Sequence, residues 1–167
     1  MKQITFLLFL FIAAASQSAV GQSQSNKMYD YFDGKDGINQ FSFSKNMIDA
    51  IDLDLSEDDD RNVTGDLNKV RFMTYNPEKG KLSGTDFTKK AVSLLPGSYK
   101  QYKDSDDDFE NGQIWLLGKR SKYSECHIFL DGDEPESIRF IVSFYGDFTV
   151  NDLKKLKESG KKMSNKD

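Results

Sequence analysis

The chain has 167 residues, with 23 Lys and Arg against 27 Asp and Glu, a formal net charge of -4, one His and one Cys. A single histidine and a single cysteine exclude a two-histidine metal site, an internal disulfide and a four-thiolate zinc site. The acidic balance argues against binding to nucleic acid, which favours clustered positive charge.

The first 21 residues have the pattern of a cleaved secretory leader. Lys2 precedes the charge-free run ITFLLFLFIAAA, which is shorter than the roughly 20 residues of a membrane-spanning helix. Ala19 and Gly21 supply small residues before a cleavage point at Gln22. An uncleaved anchor is the alternative. The leader has no cysteine to acylate. We expect an exported protein, periplasmic or secreted, with no transmembrane segment after cleavage and no lipid anchor.

The remaining chain is read as one domain with two polar ends. Residues 22–36 are polar and predict a flexible mature N-terminus. Residues 37–159 carry the hydrophobic patterns of a single α+β domain. Residues 160–167 form a polar tail.

Hydrophobic periodicity predicts the order β-α-β-α-β-β-β-α. The predicted strands cover residues 38–43, 67–75, 113–120, 123–130 and 136–145. Ser44, Ser83 and Thr149 stand where N-caps belong, and Asp86 and Asp152 follow the last two at capping-box spacing. The order indicates helices on one face of a largely antiparallel sheet, with the last strand central, and is compatible with a ferredoxin-like arrangement.

Two acidic stretches resemble calcium loops at first sight. Asp104, Asp106 and Asp108 alternate like the first ligands of an EF-hand, but Phe109 and Trp115 occupy the places of its glycine and its glutamate. The stretch 52–60 fails the same test. Both are interpreted as solvated loops, with weak divalent-ion binding as the alternative, and we expect no cofactor.

Cys126 and His127 are neighbours on a predicted strand, so their side chains point to opposite faces. Cys126 shares its face with Ile128 and Leu130, which predicts an unreactive core thiol. His127 shares its face with Glu125 and is predicted to be exposed or partly covered, the alternative being a base or a pH sensor.

Enzymatic function is not expected, because no nucleophile elbow, P-loop or dinucleotide fingerprint is present. A carboxylate- or metal-dependent hydrolase using an acidic loop is the alternative. The acids around the last hairpin are expected to be solvated rather than held in a cleft: Glu125, Asp131, Asp133, Glu134 and Glu136.

Five aromatic residues lie outside the strongest core pattern: Tyr29, Tyr31, Phe32, Tyr99 and Tyr102. Such residues can form a partner surface; the alternative is that they cover the edges of the core. A small-ligand carrier would need a large apolar cavity, which the lean apolar content disfavours.

Three segments resemble the Bacteroidota domain-of-unknown-function family numbered 4252: residues 41–47 (FSFSKNM), 67–73 (LNKVRFM) and 144–156 (FYGDFTVNDLKKL). The resemblance covers about residues 28–163 and implies an exported α+β domain with no established activity, so no functional residue is carried over. Members are often lipid-anchored, and this chain lacks the leader cysteine. Some members lie near genes for extracytoplasmic sigma factors, which suits envelope signalling. We expect a non-catalytic module that binds a protein or an envelope component.

Overall fold

The computed structural model describes residues 23–50, 66–103, 112–120, 122–132, 134–149 and 152. Its helices are α1 (Asn26–Phe32), α2 (Lys45–Ala50) and α3 (Gly84–Ser93). Its strands are β1 (Ile38–Ser44), β2 (Asp66–Tyr75), β3 (Lys100–Tyr102), β4 (Gly112–Lys119), β5 (Lys122–Leu130) and β6 (Arg139–Thr149).

The six strands form one antiparallel sheet in the order β1-β2-β6-β5-β4-β3. The α+β class and the antiparallel meander of β4, β5 and β6 are confirmed. β6 lies centrally, as its apolar residues on both faces predicted. The predicted element order is not confirmed, because α1 precedes β1 and β3 is added before β4. Nor does this strand order confirm a ferredoxin-like arrangement.

Each face of the sheet has its own hydrophobic core, because successive side chains of a strand point to opposite sides. We call the face that carries Met73, Phe129 and Ile141 the α1 face, since these residues pack with α1 and α3. The opposite face buries Phe72, Ile128 and Val142, among others. Ile48 of α2 packs against that opposite face, so the helices are not confined to one side as predicted.

Helix α1 occupies the stretch predicted as a flexible N-terminus. Met28 and Phe32 are one turn apart, and both are buried together with Tyr29. A helix this short gains its stability from packing rather than from propensity. Its few apolar residues lie among polar ones, which is why composition alone indicated a loose segment.

Both predicted capping pairs form a hydrogen bond between a side chain and the backbone three residues away. Oγ of Ser83 accepts the backbone N–H of Asp86 at 3.1 Å, and Phe87, one turn into α3, is fully buried. Oδ2 of Asp152 accepts the backbone N–H of Thr149 at 2.7 Å, and Asp152 is helical. The rest of the predicted C-terminal helix, the tail 160–167 and the leader 1–21 lie outside the described residues.

Candidate functional site

Strand register places polar side chains of β5 and β6 next to one another under α1. Glu125 pairs with Tyr145, and His127 pairs with Ser143. On the other side of β6, Arg71 of β2 is the register partner of Ser143. Because of the alternation along β5, Cys126 lies on the opposite face with Ile128 and Leu130, as predicted.

One oxygen of Glu125 is the centre of this buried polar network. Its Oε2 accepts hydrogen bonds from Tyr99 Oη at 2.7 Å and from the Oγ atoms of Ser25 and Ser23, each at 3.0 Å. Burial raises the pKa of the carboxyl, but His127 and these hydroxyl donors outweigh burial and lower the pKa overall. Glu125 is therefore held ionised. The prediction that the hairpin acids are solvated is wrong for this residue, which is buried.

A second set of hydrogen bonds joins α1 to His127 through Ser143. Tyr29 Oη donates to Ser143 Oγ at 2.6 Å, and Ser143 Oγ lies 2.6 Å from His127 Nδ1. Since the single hydroxyl proton of Ser143 then points to Nδ1, a neutral imidazole carries its proton on Nε2. That nitrogen faces Glu125 Oε2 at 3.4 Å, without the alignment of a hydrogen bond.

The prediction that His127 is exposed or partly covered is wrong. The residue has no exposed surface, because α1 and Tyr99 cover the part of the sheet where it lies. Burial lowers the pKa of the imidazole more than Glu125 raises it. His127 is therefore neutral near pH 7.

Ser143, His127 and Glu125 resemble a nucleophilic triad in composition, but the arrangement is closed. A catalytic serine must contact a substrate, whereas Ser143 and His127 have no exposed surface and Ser143 already accepts the Tyr29 hydroxyl. What the network does is fasten the N-terminal segment to the sheet. Arg71 adds to this, because its guanidinium lies 3.6 Å from the centroid of the Tyr29 ring.

A cleft of about 440 Å³ opens beside the fastened helix. Phe32 and Tyr75 contribute buried rings to it. The Tyr75 ring is fixed, because it stacks on Phe87 with centroids 4.5 Å apart and its hydroxyl both accepts from the backbone N–H of Leu82 and donates to the carbonyl of Leu82. The lining residues are Tyr31, Phe32, Gly34, Lys35, Asp36, Ile38, Tyr75, Lys81 and Leu82.

Two glycines shape the cleft. A Cβ at Gly80 would overlap the phenol of Tyr75, so this position requires glycine for the ring to keep its place. Gly34 has a φ of +67°, a left-handed conformation that glycine adopts readily. A Cβ at Gly34 would meet nothing within 4 Å, so this rim of the cleft is open.

The rim of the cleft carries positive charge. Nζ of Lys35 lies 3.8 Å from the centroid of the Tyr31 ring, and Nζ of Lys90 lies 4.8 Å from it. Lys81 forms a 3.9 Å ion pair with Asp36, both side chains being largely exposed. Such a pair is weak. The residues that line the cleft thus include two lysines and one aspartate, and Lys90 adds a third ammonium group beside Tyr31, in a chain whose overall charge is negative.

The five predicted surface aromatics divide into two groups. Tyr29, Phe32 and Tyr99 are buried, so these three belong to the core, which is closer to the alternative that such residues cover its edges. Tyr31 is 39% exposed and lines the cleft, and Tyr102 is half-buried against the opposite face. The weak metal candidates Asp104, Asp106 and Asp108 lie outside the described residues.

Sequence reasoning missed the network because it treated Glu125 and His127 as solvated. A signal was present: polar residues recur on one face of β5 and β6, strands otherwise rich in large apolar side chains. Within the described ranges, no three or more His, Cys, Asp or Glu side chains are grouped so that they could hold a metal ion. Nor does that part of the chain contain a helix with the length and apolar character to cross a membrane.

Comparison with known proteins gives one result. No curated protein and no solved structure matches the chain. The family described as "Domain of unknown function (DUF4252)" matches residues 29–156, a range that begins in α1 and extends past β6. The chain therefore belongs to the DUF4252 family.

Proposed function

We propose that this chain is a non-catalytic, exported binding module and that the cleft beside Tyr31 holds an anchoring group of a protein or envelope partner. The observation that carries the proposal is the cleft itself, with about 440 Å³ of space, fixed aromatic walls and a ring 39% exposed at its rim. A volume of this order is usual for ligand sites. Partly exposed tyrosine is a frequent anchor in interfaces.

The buried network supports the non-catalytic part of the proposal. It contains the Ser, His and Glu side chains that hydrolysis would need, but it uses them to hold α1. The location outside the cytoplasm rests on the leader pattern of residues 1–21, and a role in envelope signalling rests on the resemblance described above.

Affinity capture of the natively exported protein tests the proposal. The wild-type chain is compared with Tyr31→Ala, which removes the ring at the rim, and with Met47→Ala. Met47 is a matched control because it is 48% exposed on α2, the helix that packs against the opposite face. We expect one partner to be enriched by the wild type and by Met47→Ala and to be lost with Tyr31→Ala. Equal capture by all three proteins, or no enriched partner, would reject the proposal.

A further inference from the structure

The charged side chains around the cleft indicate which chemical class of ligand it binds. Lys35 and Lys90 both place their ammonium groups on the ring of Tyr31. No carboxylate of the described residues forms an ion pair with either of them. Asp36, the carboxylate among the residues that line the cleft, forms its ion pair with Lys81. Within the part of the chain that the structure describes, the rim therefore carries two ammonium groups that have no carboxylate partner.

The cation–π contacts also restrict where that charge lies. An ammonium over an aromatic face is attracted by the ring quadrupole, which favours positions of Lys35 and Lys90 beside Tyr31. A ligand that packs against the exposed part of the ring would meet these ammonium groups at its edge. Below the rim, Phe32, Tyr75 and Leu82 offer apolar contact.

We propose that the cleft recognises an acidic peptide segment in which a carboxylate side chain stands next to an aromatic or large aliphatic side chain. The apolar side chain packs on the rings of the cleft, and the carboxylate reaches Lys35 and Lys90. A dipeptide unit fits a volume of about 440 Å³. This inference rests on the proposed function and specifies its ligand.

Three capped dipeptides test separately whether the carboxylate and the large apolar side chain are needed for binding. They are acetyl-Phe-Glu-amide, its neutral isostere acetyl-Phe-Gln-amide, and acetyl-Ala-Glu-amide, which lacks the large apolar side chain. Binding to the mature protein is followed by the amide chemical shifts of Tyr31, Lys35 and Leu82 during titration. We expect the first peptide to bind about three- to tenfold more tightly than either of the others. We also expect its affinity to fall with added salt, since the contacts are near the surface.

Lysine variants test whether the ammonium groups at the rim cause the preference for the acidic peptide. Lys35→Gln combined with Lys90→Gln should remove the preference for the acidic peptide over its isostere and leave the affinity for the isostere unchanged. Lys119→Gln is the matched control, because Lys119 is an exposed lysine on β4, away from β1 and β2. It should keep the preference.

The outcomes distinguish this inference from the proposal on which it rests. Equal affinity of the acidic and neutral peptides would overturn the anionic preference, while loss of the captured partner with Tyr31→Ala would still support the binding module. Tighter binding of hexyl phosphate than of acetyl-Phe-Glu-amide would overturn the peptide assignment in favour of a lipid-like phosphate. Shifts confined to residues outside the cleft would overturn the inference as well.

Discussion

The hydroxyl of Tyr99 donates a hydrogen bond of 2.7 Å to Oε2 of Glu125, and this contact joins the segment before β3 to the middle of the sheet. The same oxygen accepts a hydrogen bond from the hydroxyl of Ser25, which precedes the first residue of α1. One carboxylate thus holds two segments that are separated from it by 26 and 100 positions in the chain. Since α1 carries Tyr31 and Phe32, the buried network also fixes one wall of the cleft.

Replacing Tyr99 by Phe should destabilise the fold while preserving its shape. A hydrogen bond to a charged, buried acceptor contributes about 1.5–3 kcal/mol, and the free energy of unfolding should fall by about that amount. Urea unfolding followed by circular dichroism measures it. Tyr123→Phe is the control, because the Tyr123 ring is half-buried and stacks on Phe148, with no hydrogen bond from its hydroxyl to a described residue. Equal stability of the two variants would contradict a structural role for the Tyr99 contact.

The stability of the domain should fall on acidification from pH 7. Burial lowers the pKa of His127 below its usual 6.5, with Glu125 opposing the shift. The unfolded chain therefore takes up this proton first, and stability decreases as pH drops through about 6.5 toward the folded pKa. The pKa of Glu125 is also lowered from 4.5, despite burial, by His127 and the hydroxyl donors. The contribution of Glu125 to stability is present above about pH 4.5 and is lost as the pH falls below that value. Protonation of His127 and of Glu125 therefore both destabilise the fold.

The single histidine makes this pH dependence simple to test. Unfolding free energies of the wild type and of His127→Gln are measured by urea titration from pH 4 to pH 8. Between about pH 7 and pH 5 the wild type should lose stability and the variant should show a shallower slope, since it has no imidazole to protonate. Parallel slopes in this interval would show that His127 does not titrate as its burial implies.

Much of the scaffold was predictable because local signals and tertiary packing agree. Alternating apolar residues predicted the meander, and the capping pair Ser83 and Asp86 predicted the start of α3, where the hydrogen bond is observed. The placement of Cys126 and His127 on opposite faces followed from the pleat alone. In these cases the decisive contacts lie close in sequence or repeat with a fixed period.

The burial of Glu125 and His127 was not predictable in the same way. What covers them is α1, which begins about 100 residues earlier in the chain, and the partners that make burial tolerable are Ser25 and Tyr99. A polar residue on one face of a strand predicts solvent exposure unless such partners are known. The cleft depends on the same helix, so it was missed for the same reason.

Gly80→Ala should destabilise the protein and disturb the cleft. The added methyl group would overlap the phenol of Tyr75, which is held by Leu82 and by stacking on Phe87. Forcing a ring out of a packed position costs about 1–3 kcal/mol. Thermal unfolding reports the loss, and the amide shift of Leu82 reports the displaced wall. Gly97→Ala is the matched control, because a Cβ there meets nothing within 4 Å; it should leave both readouts nearly unchanged, and a similar loss in both variants would contradict the packing argument.

Cys126 should be unreactive in the folded protein, in spite of its position next to His127. Its side chain is buried in the opposite face with Ile128 and Val142, and burial raises the pKa of the thiol. Because only the thiolate attacks disulfides, a chromogenic disulfide reagent should label the native protein no faster than the protein unfolds, and should label it fully in denaturing urea. Rapid labelling under native conditions would mean that this part of the sheet opens to solvent.

Substitution of Cys126 gives an independent check on its burial. Cys126→Ala leaves a small cavity, whereas Cys126→Ser buries a hydroxyl among aliphatic side chains. The serine variant should therefore be the less stable of the two by about 1–3 kcal/mol.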